Sequence, residues 1–204
     1  SVFFAMSIAT TIYTNMDNVM LGFIKGTTEN GYYDAAVKIK NILVSFVSSL
    51  GTVLLPRVSY YIETGEKEEF SRITKKALNF VFLLSVPLCV YFIIFARPSI
   101  YLLSGTMFEN SILPMRLIMP TLVFIGLTNI IGLQILVPLG KENQVLYSEI
   151  AGAVVNIIVN MFLIPRMGAA GAAIGTVLAE IMVFIVQVYA CLLYTSPSPR
   201  DTER

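Results

Sequence analysis

The sequence predicts an all-α membrane protein with six transmembrane helices, and three observations lead to this fold class. Hydrophobic residues make up 56% of the 204 residues and charged residues only 13%, whereas soluble globular domains carry about 25% charged residues. The mean hydropathy is +0.76. Several apolar runs reach the roughly 20 residues that a helix needs to cross the hydrocarbon core of a bilayer. We therefore expect a multi-pass integral membrane protein.

The composition also disfavours several classes of function. The chain has no histidine, whereas zinc hydrolases and Ser/His/Asp enzymes need an imidazole. Its net charge of +1 provides no overall basic field, so no nucleic-acid partner is expected. Cys89 and Cys191 lack the spacing of a disulfide framework or of a metal site and are interpreted as packing residues. No cofactor is expected.

The first predicted span, residues 1–24, has one polar face along an apolar helix. An ionised carboxylate inside the membrane is costly unless it faces a partner or a wet cavity, so Asp17 within this run predicts a functional site. The alternative is that Asp17 only holds helices together through an interhelical hydrogen bond. The polar face consists of Ser7, Thr10, Thr11, Thr14, Asp17 and Asn18.

A second span is predicted to begin at Asp34, after a loop at 25–33, and it also has a polar face. Asp34 and Lys38 stand at i and i+4, so an ion pair on the cavity side would lower the cost of holding either charge in the membrane. Lys40 lies at the edge of this face. Both lysines could instead snorkel to the interface from the first turns of the helix. Arg57 is expected at the interface. The polar face continues through Asn41, Ser45, Ser48, Thr52 and Ser59.

The next two spans differ in character. Residues 63–76 predict an amphipathic interfacial helix that leads into a uniformly apolar, lipid-facing third span at 77–95. The fourth span, 112–138, contains Pro120 and two glycines, so we expect it to bend inside the protein.

The fifth span, about 145–164, and the sixth, which ends at about Leu192, return to the polar pattern. Between them Gly171 and Gly175 have the close-approach spacing of packed membrane helices. The stripe runs through Glu149, Gly152, Asn156 and Asn160 in the fifth span, and Thr176, Glu180 and Gln187 lie on one face of the sixth.

Basic residues near the span ends predict the orientation, because cytoplasmic loops are enriched in lysine and arginine. The segment between the second and third spans is the richest in such residues and is predicted to be cytoplasmic, which also places residue 1 on that side. Because the chain starts inside a span, we expect a fragment, with six helices over residues 1–192 and an extraneous tail at 193–204.

Three stretches of the sequence are specific enough to suggest a family: YTNMDNVMLG at 13–22, GYYDAAVKI at 31–39 and SLGTVLLPR at 49–57. In these stretches the chain resembles the oligosaccharide flippases of the polysaccharide transporter family. This family belongs to the multidrug/oligosaccharidyl-lipid/polysaccharide exporter superfamily. Residues 164–180 are similar to the end of the second lobe in the same family.

The resemblance implies a transporter and not an enzyme, built from two six-helix lobes, of which this chain would be the C-terminal one. It implies a cationic cavity for the pyrophosphate and sugars of an undecaprenyl-linked oligosaccharide, with the lipid tail in the cytoplasmic membrane. Alternating access, the missing N-terminal lobe as a partner, membrane lipids, and H⁺ or Na⁺ as coupling ion follow from the same resemblance. The candidate cavity-lining residues are Thr14, Asp17, Asn18, Asp34, Lys38, Lys40, Asn41, Arg57, Asn156 and Glu180.

Three other functions are weighed against this one. A cation-coupled multidrug exporter of the same superfamily would need only acidic and apolar cavity groups, so the lysines disfavour it mildly. A membrane-embedded glycosyltransferase or polymerase would place its catalytic groups in a sizeable extramembrane segment, and the outward loops here are short. A scaffold without transport activity would not need charged residues within its spans.

Overall fold

The structure is a computed structural model that describes residues 15–195, apart from the side chains of 50–55 and 194–195. Every element in this part of the chain is helical. Residues 15–25 are the described part of the first helix, α1. The other elements are α2 (Thr27–Glu63), α3 (Lys67–Ile94), α4 (Ala96–Leu103), a 3₁₀ helix (Thr106–Ser111), α5 (Ile112–Ile118), α6 (Thr121–Thr128), a π-helix (Asn129–Leu136), α7 (Glu142–Met167) and α8 (Ala169–Thr195).

The all-α, multi-pass membrane class is confirmed. Helices α3, α7 and α8 are long and apolar enough to cross a membrane, and the segment from the 3₁₀ helix to the π-helix is a fourth such element if its bent halves form one span. Large apolar side chains such as Leu83 and Phe162 are 74% and 59% exposed, as expected for residues that face lipid. The count of six spans remains a prediction, since residues 1–14 of the first span lie outside the described part of the chain.

The connection between α1 and α2 is shorter than expected. Only Gly26 interrupts the helices, with a φ of 89°, a conformation that glycine adopts without steric cost. The loop predicted at 25–33 is therefore wrong, because one glycine makes the turn and the residues from Thr27 onward are helical. This change brings the first turns of α2 close to α1.

The fourth predicted span bends as expected. Its two halves meet at an angle of 48° next to Pro120, which lacks the N–H needed to continue the helical ladder. The second half changes into the π-helix. Gly126 also allows close packing, because a β-carbon there would lie 2.8 Å from Val81 Cγ1 and 2.9 Å from Val47 Cγ1.

Helices α7 and α8 pack against each other along much of their length and bring polar residues of both into the interior. The turn between them is Gly168, with a φ of 56°. Their contact depends on small residues, since a β-carbon on Gly171 would lie 2.5 Å from the backbone oxygen of Leu163. The close-approach role predicted for Gly171 is confirmed. Helix α8 also contacts α2, α5 and α6, so its inner face lies at the centre of the bundle.

Candidate functional site

The carboxyl group of Asp17, on α1, is buried and surrounded by hydrogen-bond donors. The residue is 3% exposed. Its Oδ2 accepts hydrogen bonds of 2.6 Å from the hydroxyl groups of Tyr33 on α2 and Thr176 on α8. Its Oδ1 accepts from the side-chain amides of Asn156, at 2.8 Å, and Asn160, at 2.5 Å, both on α7. These five residues, which we call the Asp17 cluster, connect four helices at one buried point.

The local sequence explains how α7 and α8 supply their part of the cluster. Asn156 and Asn160 are four residues apart and therefore lie on one face of α7. The amide of Asn160 also donates to Asn156 Oδ1 at 3.0 Å, which fixes both side chains. On α8 a side chain at position 175 would occupy the place of the Asn160 amide, so Gly175 is required for this arrangement.

The two hydroxyl groups of the cluster make more contacts with oxygen atoms than they have protons to donate. The Thr176 hydroxyl lies 2.8 Å from the Tyr33 hydroxyl and 3.0 Å from the backbone oxygen of Ala172, in addition to its contact with Asp17. Two hydroxyl groups have two protons, but they take part in four such contacts. The amide oxygen of Asn160 is also buried without a hydrogen-bond partner. The cluster is thus rich in hydrogen-bond acceptors.

Two further charged residues lie near the cluster. Glu180, one turn beyond Thr176 on α8, is 7% exposed. Lys40 on α2 is partly buried and lies close enough to Glu180 and Asp17 to interact with both charges. A lysine among buried carboxylates offsets part of the cost of placing them in the membrane.

The structure separates the two lysines that the sequence grouped together. Residues 38 and 40 are about 200° apart around a helix of 3.6 residues per turn. Lys40 is partly buried near Glu180 and Asp17, whereas Lys38 is exposed. Asp34 is partly buried and forms no ion pair with Lys38.

The remaining candidates are not among the residues that bind the Asp17 carboxylate. Asn18 is partly buried, and its amide oxygen has no hydrogen-bond partner among the described residues. Asn41 and Arg57 are exposed. Thr14 lies outside the described residues. The structure thus brings Asp17, Asn156, Lys40 and Glu180 together, and the roles of all the candidates stay predictions.

Two residues near the site were not found from the sequence. Tyr33 fell in the predicted loop, and a tyrosine in a loop gives no signal of an intramembrane contact. Glu29 accepts a hydrogen bond of 3.0 Å from the backbone N–H of Ala169, at the first residue of α8. Carboxylates stabilise helix N-termini in this way, so Glu29 links the α1–α2 turn to the start of α8.

At the outward end predicted by the charge distribution, an ion pair connects α4 and the 3₁₀ helix. Arg97 donates a hydrogen bond of 2.6 Å to Glu109 Oε1 and one of 3.2 Å to the Tyr101 hydroxyl. The hydrogen bond between Arg97 and Glu109 lowers the pKa of the Glu109 carboxyl group and raises the pKa of Arg97. Both side chains are exposed, so the pair contributes little to stability.

The fold matches that of solved membrane transporters over almost the whole chain. A lipid II flippase in an inward closed conformation superposes with a TM-score of 0.81 at 17% identity, over 94% of this chain and 41% of that one. An outward-facing multidrug resistance transporter of the MATE family, in the MOP superfamily, gives 0.77 at 18% identity, over 98% and 46% of the two chains. The chain therefore shares its fold with part of each of these transporters.

Sequence comparison then defines the family. Residues 1–113, more than half of the chain, match the family described as "Polysaccharide biosynthesis protein", and the chain belongs to this family. This result confirms the resemblance found in the sequence.

Curated relatives extend the similarity to most of the chain. An uncharacterized membrane protein of Methanocaldococcus jannaschii is 29% identical over 85% of this chain and 34% of its own length. A putative O-antigen transporter of Escherichia coli K12 is 23% identical over 88% of this chain and 43% of its own length. The chain thus spans less than half the length of these relatives.

Proposed function

We propose that the chain is the C-terminal lobe of a two-lobe transporter that flips an undecaprenyl-pyrophosphate-linked oligosaccharide across the cytoplasmic membrane by alternating access. The transported glycan would serve the synthesis of a cell-surface polysaccharide. The observation that carries this proposal is the Asp17 cluster, a buried carboxylate held by four donors inside the membrane domain of a polysaccharide biosynthesis family member. The relatives' greater length supports the presence of a second lobe.

The cluster would couple transport to H⁺ or Na⁺. Its oxygen atoms come from a carboxylate, hydroxyls, amides and the Ala172 carbonyl, and such atoms take up a proton or coordinate a hard cation. Because α1, α2, α7 and α8 all contribute, adding or removing one positive charge would change how strongly these helices hold together. Such a dependence is what a cation needs in order to shift the balance between two conformations.

Lys40 would meet the cargo. It lies on the helix next to the cluster, and an ammonium group in a partly buried setting forms a charge-assisted hydrogen bond with a phosphate oxygen. In this proposal the cargo's pyrophosphate competes with Asp17 and Glu180 for Lys40, which would link cargo binding to the charge state of the cluster. A cation-coupled multidrug exporter has no such requirement for a basic side chain in its cavity.

The test uses cells whose only flippase is the full-length variant. Asp17→Asn keeps the shape of the side chain but removes its charge, so we expect normal membrane insertion and a loss of most lipid-linked oligosaccharide from the outer leaflet. Glu63→Gln, the corresponding change at an exposed residue of α2, should transport normally. If Asp17→Asn transports at the parental rate, the cluster has only a packing role. If the parent protein exports drugs but does not transport the glycan, it is a multidrug exporter.

A further inference from the structure

A groove runs between α3, the π-helix and α8, away from the Asp17 cluster. Its volume is about 940 Å³, near the upper end of the roughly 300–1,000 Å³ of small-molecule sites. Two of its walls are apolar: Ile131, Ile135 and Leu139 follow one face of the π-helix and its extension, and Phe184 and Val188 follow α8. We call it the α3–α8 groove.

The third wall, made by α3, is polar and basic at one end. Lys67, Ser71 and Lys75 recur at four-residue spacing and so line the groove along one face of the helix. None of the described residues that line the groove is acidic. Glu69 lies on the opposite side of α3, where it pairs with Arg72 at 2.5 Å, and does not neutralise these lysines.

The basic and the apolar parts of the groove lie at different depths in the bilayer. The lysines lie in the first turns of α3, at the end where α2 finishes and where α8 also finishes. Leu78 and Phe82 continue the α3 face toward the middle of the span, and their side chains are apolar. The groove is therefore cationic at the membrane surface and apolar at depth, on the side that the charge distribution predicts to be cytoplasmic.

From this gradient we infer that the α3–α8 groove binds an anionic glycerophospholipid of the same leaflet. Its phosphate would lie between Lys67 and Lys75, and one acyl chain would pack along Ile131 and Val188. The match is one of charge and polarity, since a basic pocket between helices on this side of a membrane attracts anionic head groups. A zwitterionic lipid would fill the apolar part equally well but would gain less from the two lysines.

This inference does not rest on the proposed transport function, and its test does not measure transport. The full-length protein carries a photoreactive diazirine side chain at Leu78, or separately at Val188, both of which line the groove. A third variant carries it at Leu83, which is 74% exposed and lies outside the groove. Each is reconstituted in vesicles of phosphatidylcholine and phosphatidylglycerol with matched acyl chains, illuminated, and its lipid adducts are identified by mass spectrometry.

We expect several-fold more phosphatidylglycerol among the adducts at Leu78 and Val188 than at Leu83. The double change Lys67→Gln, Lys75→Gln should remove this enrichment, whereas Lys76→Gln, the neighbouring lysine on the other side of α3, should keep it. Equal ratios at all positions, or an enrichment that survives the double change, would overturn the inference. Adducts formed mainly with another segment of the protein would also overturn it.

Discussion

Asn160 of α7 and Gly175 of α8 use the same space: the Asn160 amide lies where a β-carbon on residue 175 would stand. Because Gly175 of α8 has no side chain, the Asn160 amide of α7 can reach Asp17. Gly175→Ala should displace Asn160 and lengthen its hydrogen bond with the carboxylate. Overpacking of this kind costs about 1–3 kcal/mol, which would appear as a lower unfolding temperature in detergent. Gly31→Ala, in open space on α2, should be neutral or slightly stabilising.

Tyr33→Phe tests whether the buried hydroxyl contributes to the cluster. The change removes the 2.6 Å hydrogen bond to Asp17 Oδ2 while keeping the ring. A buried group that loses its partner costs about 1–3 kcal/mol, so the purified protein should unfold at a lower temperature than the parent. Tyr32→Phe is the matched control, because the Tyr32 ring packs edge-on against Phe108 at 6.2 Å. Equal effects of the two changes would contradict a special role for Tyr33.

The lysines of α2 are expected to differ. Lys40→Gln should abolish most glycan transport, and Lys40→Arg should retain part of it, because arginine keeps the charge but presents it as a wider, planar fork. Lys38→Gln should transport normally, since Lys38 is exposed on the other side of the helix. The readout is lipid-linked oligosaccharide in the outer leaflet. If both glutamine variants transport at the parental rate, the cationic-cavity argument fails.

The Arg97–Glu109 pair predicts a weak acid sensitivity. The hydrogen bond from Arg97 lowers the pKa of Glu109 in the folded protein, so its stabilising contribution is present at neutral pH and is lost as the pH falls through that lowered value. The melting temperature should therefore decrease slightly less for Glu109→Gln than for the parent between about pH 7 and about pH 3. Glu63→Gln, an exposed carboxylate outside the pair, should follow the parent. If the melting temperature of Glu109→Gln falls with pH as steeply as that of the parent, the pair is not maintained in solution.

Orientation can be tested by cysteine labelling. The charge distribution predicts that Thr28→Cys and Met107→Cys react with an impermeant thiol reagent on intact cells and that Glu68→Cys does not. All three positions are on the surface: Met107 is 88% exposed, and Thr28 and Glu68 are exposed. Labelling of Glu68→Cys alone would invert the orientation and move the α3–α8 groove to the outer leaflet.

The sequence alone determined the class of this protein. A 13% share of charged residues and long apolar runs suffice for a membrane protein, because no soluble core could bury so much apolar surface. Helical periodicity also placed Asp17, Asn156, Asn160, Thr176 and Glu180 on polar faces, since the spacing of residues along one helix is a local property. The bend near Pro120 followed in the same way from a residue that lacks a backbone donor.

Only the tertiary structure decided which of these faces meet. Tyr33 joined the site because Gly26 makes the turn alone, and a turn compressed to one residue leaves no pattern in the neighbouring sequence. Lys38 and Lys40 lie about 200° apart around α2, so they must face different ways, but the rotation of α2 against α1 and α8 decides that Lys40 is the partly buried one and Lys38 the exposed one. Such rotation is set by how side chains of different helices pack together, as where Gly175 makes room for Asn160, and the periodicity of a single helix carries no information about it.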